Sequence, residues 1–206
     1  MNEQTVLDPD KSADNSQEWA RKWTSTAYVE KRRHAFEQVD NYVGIRPNSI
    51  LDIGCGFAHQ SRFFNEKYGS NLWLLDGDSS SNNATSYGNW NDNADDLKFY
   101  HPVNFLESEL QRLGTKNFTF VDAKNINIPT DLKFDLITSW LSCGYHYPVN
   151  TYRDLILKHS HEHTRIVIDI RTKGTPENYK GVEGFEIVNV ISVYGKKRST
   201  VEIKLI

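Results

Sequence analysis

The stretch ILDIGCGFAHQ, residues 50–60, decides the fold that this sequence predicts. It is an apolar run that carries one acid, Asp52, and then breaks at Gly54 and Gly56. A short apolar run bounded by turn residues is typical of a buried parallel strand, here residues 49–53. Glycine tolerates positive φ and lets a ligand approach the backbone closely, so this break predicts a ligand-binding loop.

Further strands follow this one, and helical patterns separate them. Apolar or β-branched runs predict strands at residues 71–76, 117–122, 134–140 and 165–171, and two more around YGKKRS near the end. Such alternation argues for a parallel sheet covered by helices. We therefore predict an α/β fold: a doubly wound, mostly parallel seven-stranded sheet with a C-terminal antiparallel β-hairpin and helices on both faces.

The chain of 206 residues suits one such domain. Residues 1–15 are polar and predict a frayed or disordered leader, and residues 16–206 a single domain. Within it, residues 16–44 have helical periodicity with a break at residues 24–26. Residues 77–96 are rich in Ser, Asn, Asp and Gly and predict a long insertion loop, a kind that is usually functional or disordered.

Composition excludes several classes of protein. The net charge of −3 gives no basic field for tight nucleic-acid binding, and we expect the KRR and KKR runs, at residues 31–33 and 196–198, to be solvated faces or turns. Cys55 and Cys143 form no CxxC pair, which favours a reducing, cytoplasmic setting. The polar N-terminus leads us to expect no signal peptide, and no apolar run in the sequence reaches membrane-spanning length. The run HSHEH, residues 159–163, falls before a strand and predicts a solvated turn away from the site, so we predict no metal centre.

The glycine loop is compatible with two classes of ligand. A dinucleotide loop reads G-x-G-x-x-G, and here His59 takes the place of the third glycine. The same stretch, read from Asp52 as D-x-G-x-G-x-G, resembles the first motif of class I S-adenosylmethionine-dependent methyltransferases, with Ala58 at the third glycine. In that family the methionine part of the cofactor lies over this loop. The resemblance also implies that the N-terminal helical segment, residues 16–44, folds over the cofactor and substrate as a lid. Asp52 could alternatively cap the next helix.

Later acids strengthen this resemblance. Asp76 ends the second strand, where a carboxylate can accept hydrogen bonds from both ribose hydroxyls of a cofactor. Nicotinamide-dependent enzymes have an acid at the same place, so Asp76 alone does not separate the two classes of ligand. Asp122 and Ala123 follow the third strand, where the methyltransferase family places an acid and a small residue beside the adenine amine. The cofactor is thus predicted to be S-adenosylmethionine, and the residues predicted to bind it are Asp52, Gly54, Cys55, Gly56, Asp76, Gly77, Asp122, Ala123, Trp140, Trp23 and Arg33.

The loop after the fourth strand, SWLSCGYHYP at residues 139–148, should face the methyl acceptor. It lacks the Asn/Asp-Pro-Pro-aromatic motif of enzymes that methylate base amines and the Pro-Cys motif of enzymes that methylate cytosine carbon. His146 is the candidate base for a hydroxyl proton, or else one member of a packed aromatic cluster. The residues predicted to bind the acceptor are Tyr28, Tyr145, Tyr147 and Arg171; Arg171 could instead pair with Asp169.

The resemblance implies a methyltransferase that acts on a small molecule, by O-methylation of a polar and more narrowly a sugar-like acceptor. Three alternatives remain open at this point. They are a non-catalytic S-adenosylmethionine-binding regulatory module, a methyltransferase acting on a protein or RNA group, and a nicotinamide-dependent oxidoreductase. We expect neither strong nucleic-acid binding nor a membrane partner, and the sequence leaves the oligomeric state undetermined.

Overall fold

A computed structural model describes residues 23–77, 103–172, 184–195 and 198–206. The leader predicted at residues 1–15 and nearly all of the loop predicted at residues 77–96 lie outside the described residues. The described helices are α1 (Thr26–Val43), α2 (His59–Tyr68), α3 (Val103–Arg112) and α4 (Arg153–His159), with a 3-10 turn at Val149–Tyr152. The strands are β1 (Ser49–Ile53), β2 (Asn71–Asp76), β3 (Phe118–Asp122), β4 (Leu136–Ser139), β5 (Arg165–Arg171), β6 (Phe185–Tyr194) and β7 (Arg198–Leu205).

These strands form one seven-stranded sheet in the order β3-β2-β1-β4-β5-β7-β6. The first five strands run parallel, and β7 lies antiparallel between β5 and β6. This confirms the predicted sheet with its closing hairpin. The order of strands reverses between β1 and β4, and ligands in open α/β sheets bind outside the carboxyl ends of the strands at such a reversal.

Helices cover both faces of the sheet, as predicted. One hydrophobic cluster joins α1, α2 and α3 to the strands through residues such as Phe36, Phe63 and Leu110. The other cluster includes Val149 and Ile156 from the segment before β5. The central strands β1, β4 and β5 are buried on both sides, which explains why their sequences are nearly continuous apolar runs.

Local signals set most of the boundaries. The predicted break near residues 24–26 is present: Ser25 is the N-cap of α1, and its hydroxyl accepts a hydrogen bond from the Tyr28 amide at 3.3 Å. The glycines Gly44 and Gly69 end α1 and α2 in the left-handed conformation. The fourth strand is shorter than predicted, because Leu141 turns the chain with φ 54° directly after Trp140.

Candidate functional site

The loop after β1 adopts the tight conformation that its glycines predict. Gly54 and Gly56 have φ values of 69° and 49°, and Ala58 has φ 48°. Ala58 therefore adopts the left-handed conformation that glycine prefers, at the position where the family motif has its third glycine. A Cβ on Gly56 would meet no atom within 4 Å, so this side of the loop is open to a ligand.

The end of β2 fixes this loop. The Asp76 carboxylate accepts hydrogen bonds from the amides of Gly56, at 2.6 Å, and Gly77, at 2.7 Å. The Leu75 carbonyl accepts from the amides of Gly54 and Cys55, at 2.7 and 3.1 Å. A carboxylate has about four acceptor positions, so Asp76 can hold the loop and still accept hydroxyl groups of a ligand.

Asp122 and Ala123 lie beside Asp76, as the parallel register requires. Asp76 pairs with Asp122 across β2 and β3, and the Ala123 amide donates to the Asp76 carbonyl at 2.9 Å. The Asp122 side chain is half-buried and accepts from the Lys124 amide at 2.9 Å. Two carboxylates and a small side chain thus meet at the edge of the sheet beside the glycine loop.

The Asp52 side chain lies in the interior, beneath the glycine loop. Its side chain is fully buried and accepts hydrogen bonds from the hydroxyls of Ser61, at 2.6 Å, and Thr138, at 3.2 Å. Burial raises the pKa of this carboxyl to about 7, despite the two hydroxyl donors. Asp52 therefore connects β1 to α2 and β4 beneath the loop, and its part in binding the cofactor stays a prediction.

Cys55 contributes to the glycine loop through its backbone. Burial, with Asp76 and Asp52 nearby, raises the pKa of its thiol well above the ordinary value, so the sulfur stays protonated. Its amide already donates to Leu75. The protonated thiol and the backbone hydrogen bond both fit a small residue that stabilises the conformation of the loop.

The loop after β4 packs directly against the glycine loop. A Cβ on Gly54 would lie 1.7 Å from Ser142 Oγ and 3.1 Å from the Tyr147 hydroxyl. These two hydroxyls are hydrogen-bonded to each other at 2.8 Å. The Tyr147 ring packs beside Tyr152, with ring centroids 5.8 Å apart. Tyr147, predicted to bind the acceptor, thus supports the glycine loop with its hydroxyl end.

Trp140 is packed into the core on the face of α1 and α2, with 8% of its surface exposed. Its indole Nε1 is buried and has no hydrogen-bond partner among the described residues. The packing leaves little of the ring for a ligand, and the predicted cofactor contact would be limited to a small exposed edge.

Tyr145, His146 and Arg171 form a group at the end of β5. The Arg171 guanidinium lies over the Tyr145 ring at 4.7 Å, and the Tyr145 and His146 rings meet edge to face at 5.0 Å. Burial, together with the charge of Arg171, lowers the pKa of His146 to about 4. His146 is therefore neutral near pH 7 and can accept a proton. Of the residues predicted to face the acceptor, these three are brought together.

The first residues of α1 lie over the start of α2. His59 Nε2 lies 3.0 Å from the Trp23 carbonyl. The Phe57 ring stacks on the imidazole and the Tyr28 ring meets it edge to face, each with its centroid 5.9 Å away. Burial lowers the pKa of His59 to about 4, so this imidazole is neutral and donates to the carbonyl. Trp23 and Tyr28 thus lie against residues 57 and 59 at the end of the glycine loop, and the role of this segment as a lid stays a prediction.

Arg33 lies outside this arrangement. Its guanidinium stacks on the Phe63 ring at 4.2 Å and lies 3.4 Å from Glu66, near the far end of α2. The cofactor contact of Arg33 stays a prediction, and in this structure the side chain packs along α2. The neighbouring Arg32 is 4% exposed and points inward instead.

The two basic runs were predicted to be exposed to solvent, but each contains one buried arginine. Arg32 is buried in the first run, and Arg198, 8% exposed, is buried in the second. Arg198 Nη1 lies 3.7 Å from Asp169 Oδ2, so Asp169 pairs with Arg198 rather than with Arg171. The position of Arg198 at the start of β7 is set by antiparallel pairing, which the charges alone do not reveal.

The histidine run lies at the opposite edge of the sheet, as predicted. His159 is buried, and its Nδ1 lies 2.8 Å from the Leu132 carbonyl, whereas His163 is exposed. Within the described ranges, no group of three His, Cys, Asp or Glu side chains could hold a metal ion. Over the same ranges, no helix is both long enough and apolar enough to cross a membrane.

Comparisons with known proteins identify the fold. No family model matches the chain, and no curated protein matches it. Among solved structures, MtNAS in complex with MTA and tNA shares 12% identity at a TM-score of 0.60, over 94% of this chain and 66% of that chain. This chain thus spans about two thirds of the length of MtNAS.

Two further structures match over nearly their whole length. A SAM-dependent methyltransferase from Aquifex aeolicus has 15% identity and a TM-score of 0.57, with 86% of this chain and 98% of that chain covered. An S-adenosylmethionine-dependent methyltransferase from Clostridium acetobutylicum has 16% identity and a TM-score of 0.58, with 91% and 98% covered. The fold of this protein is therefore that of the class I S-adenosylmethionine-dependent methyltransferases.

Proposed function

We propose that this protein is an S-adenosylmethionine-dependent methyltransferase that transfers a methyl group to an oxygen of a small polar acceptor. The observation that carries the proposal is the glycine loop held by Asp76 at the reversal of strand order. There Gly56 leaves an open face beside two carboxylates, Asp76 and Asp122. The fold and its neighbours support the same activity.

The residues present fit this cofactor. The loop at Gly56 would admit the methionine part, Asp76 would accept the ribose hydroxyls, and Asp122 with Ala123 would lie beside the adenine. When bound, S-adenosylmethionine supplies an electrophilic methyl group on a sulfonium centre.

The chain's own residues would orient the acceptor and remove its proton. The loop after β4 brings Tyr145 and His146 to the same edge of the sheet, and Arg171 fixes the Tyr145 ring. The neutral His146 imidazole would take the hydroxyl proton as the new C–O bond forms. A sugar-like acceptor is the narrower hypothesis. Both cysteines are free thiols, and we expect the protein to work in the reducing cytoplasm.

Calorimetric titration of S-adenosylhomocysteine tests the cofactor assignment. We expect micromolar binding to the wild type and at least tenfold weaker binding to Asp76→Ala, because charge-assisted hydrogen bonds contribute about 1.5–3 kcal/mol each. The matched control is Asp154→Ala, which removes a fully exposed carboxylate on α4 and should leave binding unchanged.

Two outcomes would count against the proposal. Absence of binding to folded wild type at about 1 mM ligand would overturn the cofactor assignment. Tight binding without transfer to any acceptor in a broad screen would favour the non-catalytic binding module instead.

A further inference from the structure

A buried cluster of charged side chains lies next to the candidate site. It consists of Arg32 from α1, Asp169 from β5 and Arg198 from β7, whose surfaces are 4%, 1% and 8% exposed. The positive charges of Arg198 and Arg32 both act on the Asp169 carboxyl, where they oppose the rise in its pKa that burial causes. Arginine and aspartate are almost never fully buried unless they are paired or bind something. The question is therefore what compensates these charges.

Asp169 ties the cluster to the loop that faces the acceptor. Its carboxylate accepts hydrogen bonds from the Leu141 amide, at 3.2 Å, and the Thr200 hydroxyl, at 2.5 Å. Leu141 opens the loop after β4 that carries His146. Arg198 pairs with Arg171 in the register of β5 and β7, so it lies at the same edge of the sheet.

Arg32 ties the cluster to the glycine loop. Its guanidinium lies over the Tyr28 ring at 4.6 Å, and that ring meets the imidazole of His59 edge to face. His59 follows Gly56 by three residues. The cluster thus lies between the two loops that border the candidate site.

The positive charges of this cluster exceed the negative ones. Asp169 already has two hydrogen-bond donors and Arg198 at 3.7 Å. Arg32 forms no hydrogen bond or ion pair with any described residue, and its guanidinium lies over the face of Tyr28. The Nε atoms of Arg32 and Arg198 are both buried without a hydrogen-bond partner in the described part of the chain. A buried N–H donor without a partner is costly, and two guanidinium groups beside one carboxylate leave a net positive charge, so this arrangement favours an added anion.

We propose that Arg32 and Arg198 bind an anionic group, a carboxylate or a phosphate, carried by the methyl acceptor. This inference rests on the proposed function and narrows its substrate to an acidic molecule. A guanidinium presents a planar fork of N–H donors that matches both anions. Asp169 would orient the two arginines rather than contact the anion.

The direct test is calorimetric titration of inorganic phosphate into protein saturated with S-adenosylhomocysteine. We expect millimolar binding to the wild type and at least tenfold weaker binding to Arg32→Gln, which removes the charge and the fork. Lys31→Gln is the matched control, because it removes the same charge from an exposed neighbour on the same helix, and it should bind phosphate like the wild type. No binding at about 50 mM phosphate, or equal binding by Arg32→Gln, would overturn the proposal.

A second titration separates an acceptor anion from the carboxylate of the cofactor. S-adenosylhomocysteine has that carboxylate and 5′-methylthioadenosine lacks it. We expect Arg32→Gln to bind both nucleosides like the wild type. Weakened binding of S-adenosylhomocysteine alone would assign the arginines to the cofactor and overturn the acceptor assignment.

Failure of the two proposals can be told apart. If wild type binds neither nucleoside, the proposed function fails, and phosphate titration of the free protein still tests the cluster by itself. Thermal melting checks that each variant is folded. If Arg32→Gln does not fold, Arg32→Lys keeps the charge but loses the planar fork, and it should bind phosphate several-fold more weakly than the wild type.

Discussion

At the scale of single residues, burial decides the chemistry of His146. An exposed histidine has a pKa near 6.5 and is partly charged at neutral pH. Burial and, to a smaller degree, Arg171 lower the pKa of His146 to about 4. The imidazole is therefore available as a base over most of the physiological range, at the cost of lower intrinsic basicity.

This predicts an NMR titration and a pH profile. The ring of His146 should titrate near pH 4, and Arg171→Ala should raise its pKa by removing a positive charge. In the proposed reaction, kcat/KM should fall as the pH drops towards 4 rather than near 6.5. His146→Ala should lower kcat about 100-fold or more, the usual contribution of a general base.

His163→Ala is the matched control, since it removes an exposed imidazole at the opposite edge of the sheet. It should leave kcat unchanged. A loss of less than threefold in His146→Ala would contradict the base role and favour the alternative in which His146 packs the aromatic cluster.

At the scale of elements, two loops from adjacent strands share one interface. The glycine loop follows β1, and the loop after β4 carries Ser142 and Tyr147 against it. β1 and β4 are hydrogen-bonded neighbours, so the loops that follow them begin side by side. These loops can touch because Gly54 has no side chain. Gly54, the first glycine of the motif, is thus needed because a side chain there would overlap the loop after β4. Gly56 instead leaves a face of the loop open for a ligand.

We predict that Gly54→Ala is strongly destabilising. Its Cβ would overlap Ser142 Oγ at 1.7 Å in addition to the strain of φ 69°. Gly69→Ala is the control: φ is 73° and no atom lies within 4 Å of the added Cβ, so only the strain of about 1–2 kcal/mol applies. Chemical denaturation should show a clearly larger loss for Gly54→Ala.

A second substitution tests the cause of that loss. Ser142→Gly removes both overlapping atoms and should recover part of the stability lost in Gly54→Ala. Equal losses in Gly54→Ala and Gly69→Ala, or no recovery in the double variant, would show that the packing interface is not responsible.

At the scale of the whole molecule, buried titratable groups make folding sensitive to pH in opposite directions. Burial raises the pKa of Asp52 to about 7, so its contribution to stability is lost as the pH rises from about 4 towards 7. Burial lowers the pKa of His59 and His146 to about 4, so stability falls as the pH drops from about 6.5 towards 4. These effects partly cancel in the wild type.

Asp52→Asn should separate these effects. Relative to the wild type, the variant should gain stability as the pH rises from 4 to 7, at about 1.4 kcal/mol per unit of pKa difference and by a few kcal/mol at most. Urea unfolding at pH 4, 5.5 and 7 measures this gain, with Asp154→Asn as an exposed control. A stability difference that is constant with pH would contradict the raised pKa.

The sequence by itself determined the sheet, the glycine loop and the acids beside it. These features depend on local signals: apolar runs specify buried strands, Gly54 and Gly56 specify a tight loop, and an acid at a strand end lies at the binding edge by topology. The boundaries of β1, β2 and β5 were predicted to the residue for the same reason.

The direction of individual side chains was decided only by the tertiary structure. Asp52 lies beneath the loop, Arg33 turns away from it, and Arg32 and Arg198 enter the interior from runs that read as solvated. Each outcome depends on the partner that a distant strand or helix places opposite the residue. Asp52 meets Thr138, Arg33 meets Glu66, and Arg198 meets Asp169. Local sequence does not encode that pairing, because it arises from contacts between residues far apart in the chain.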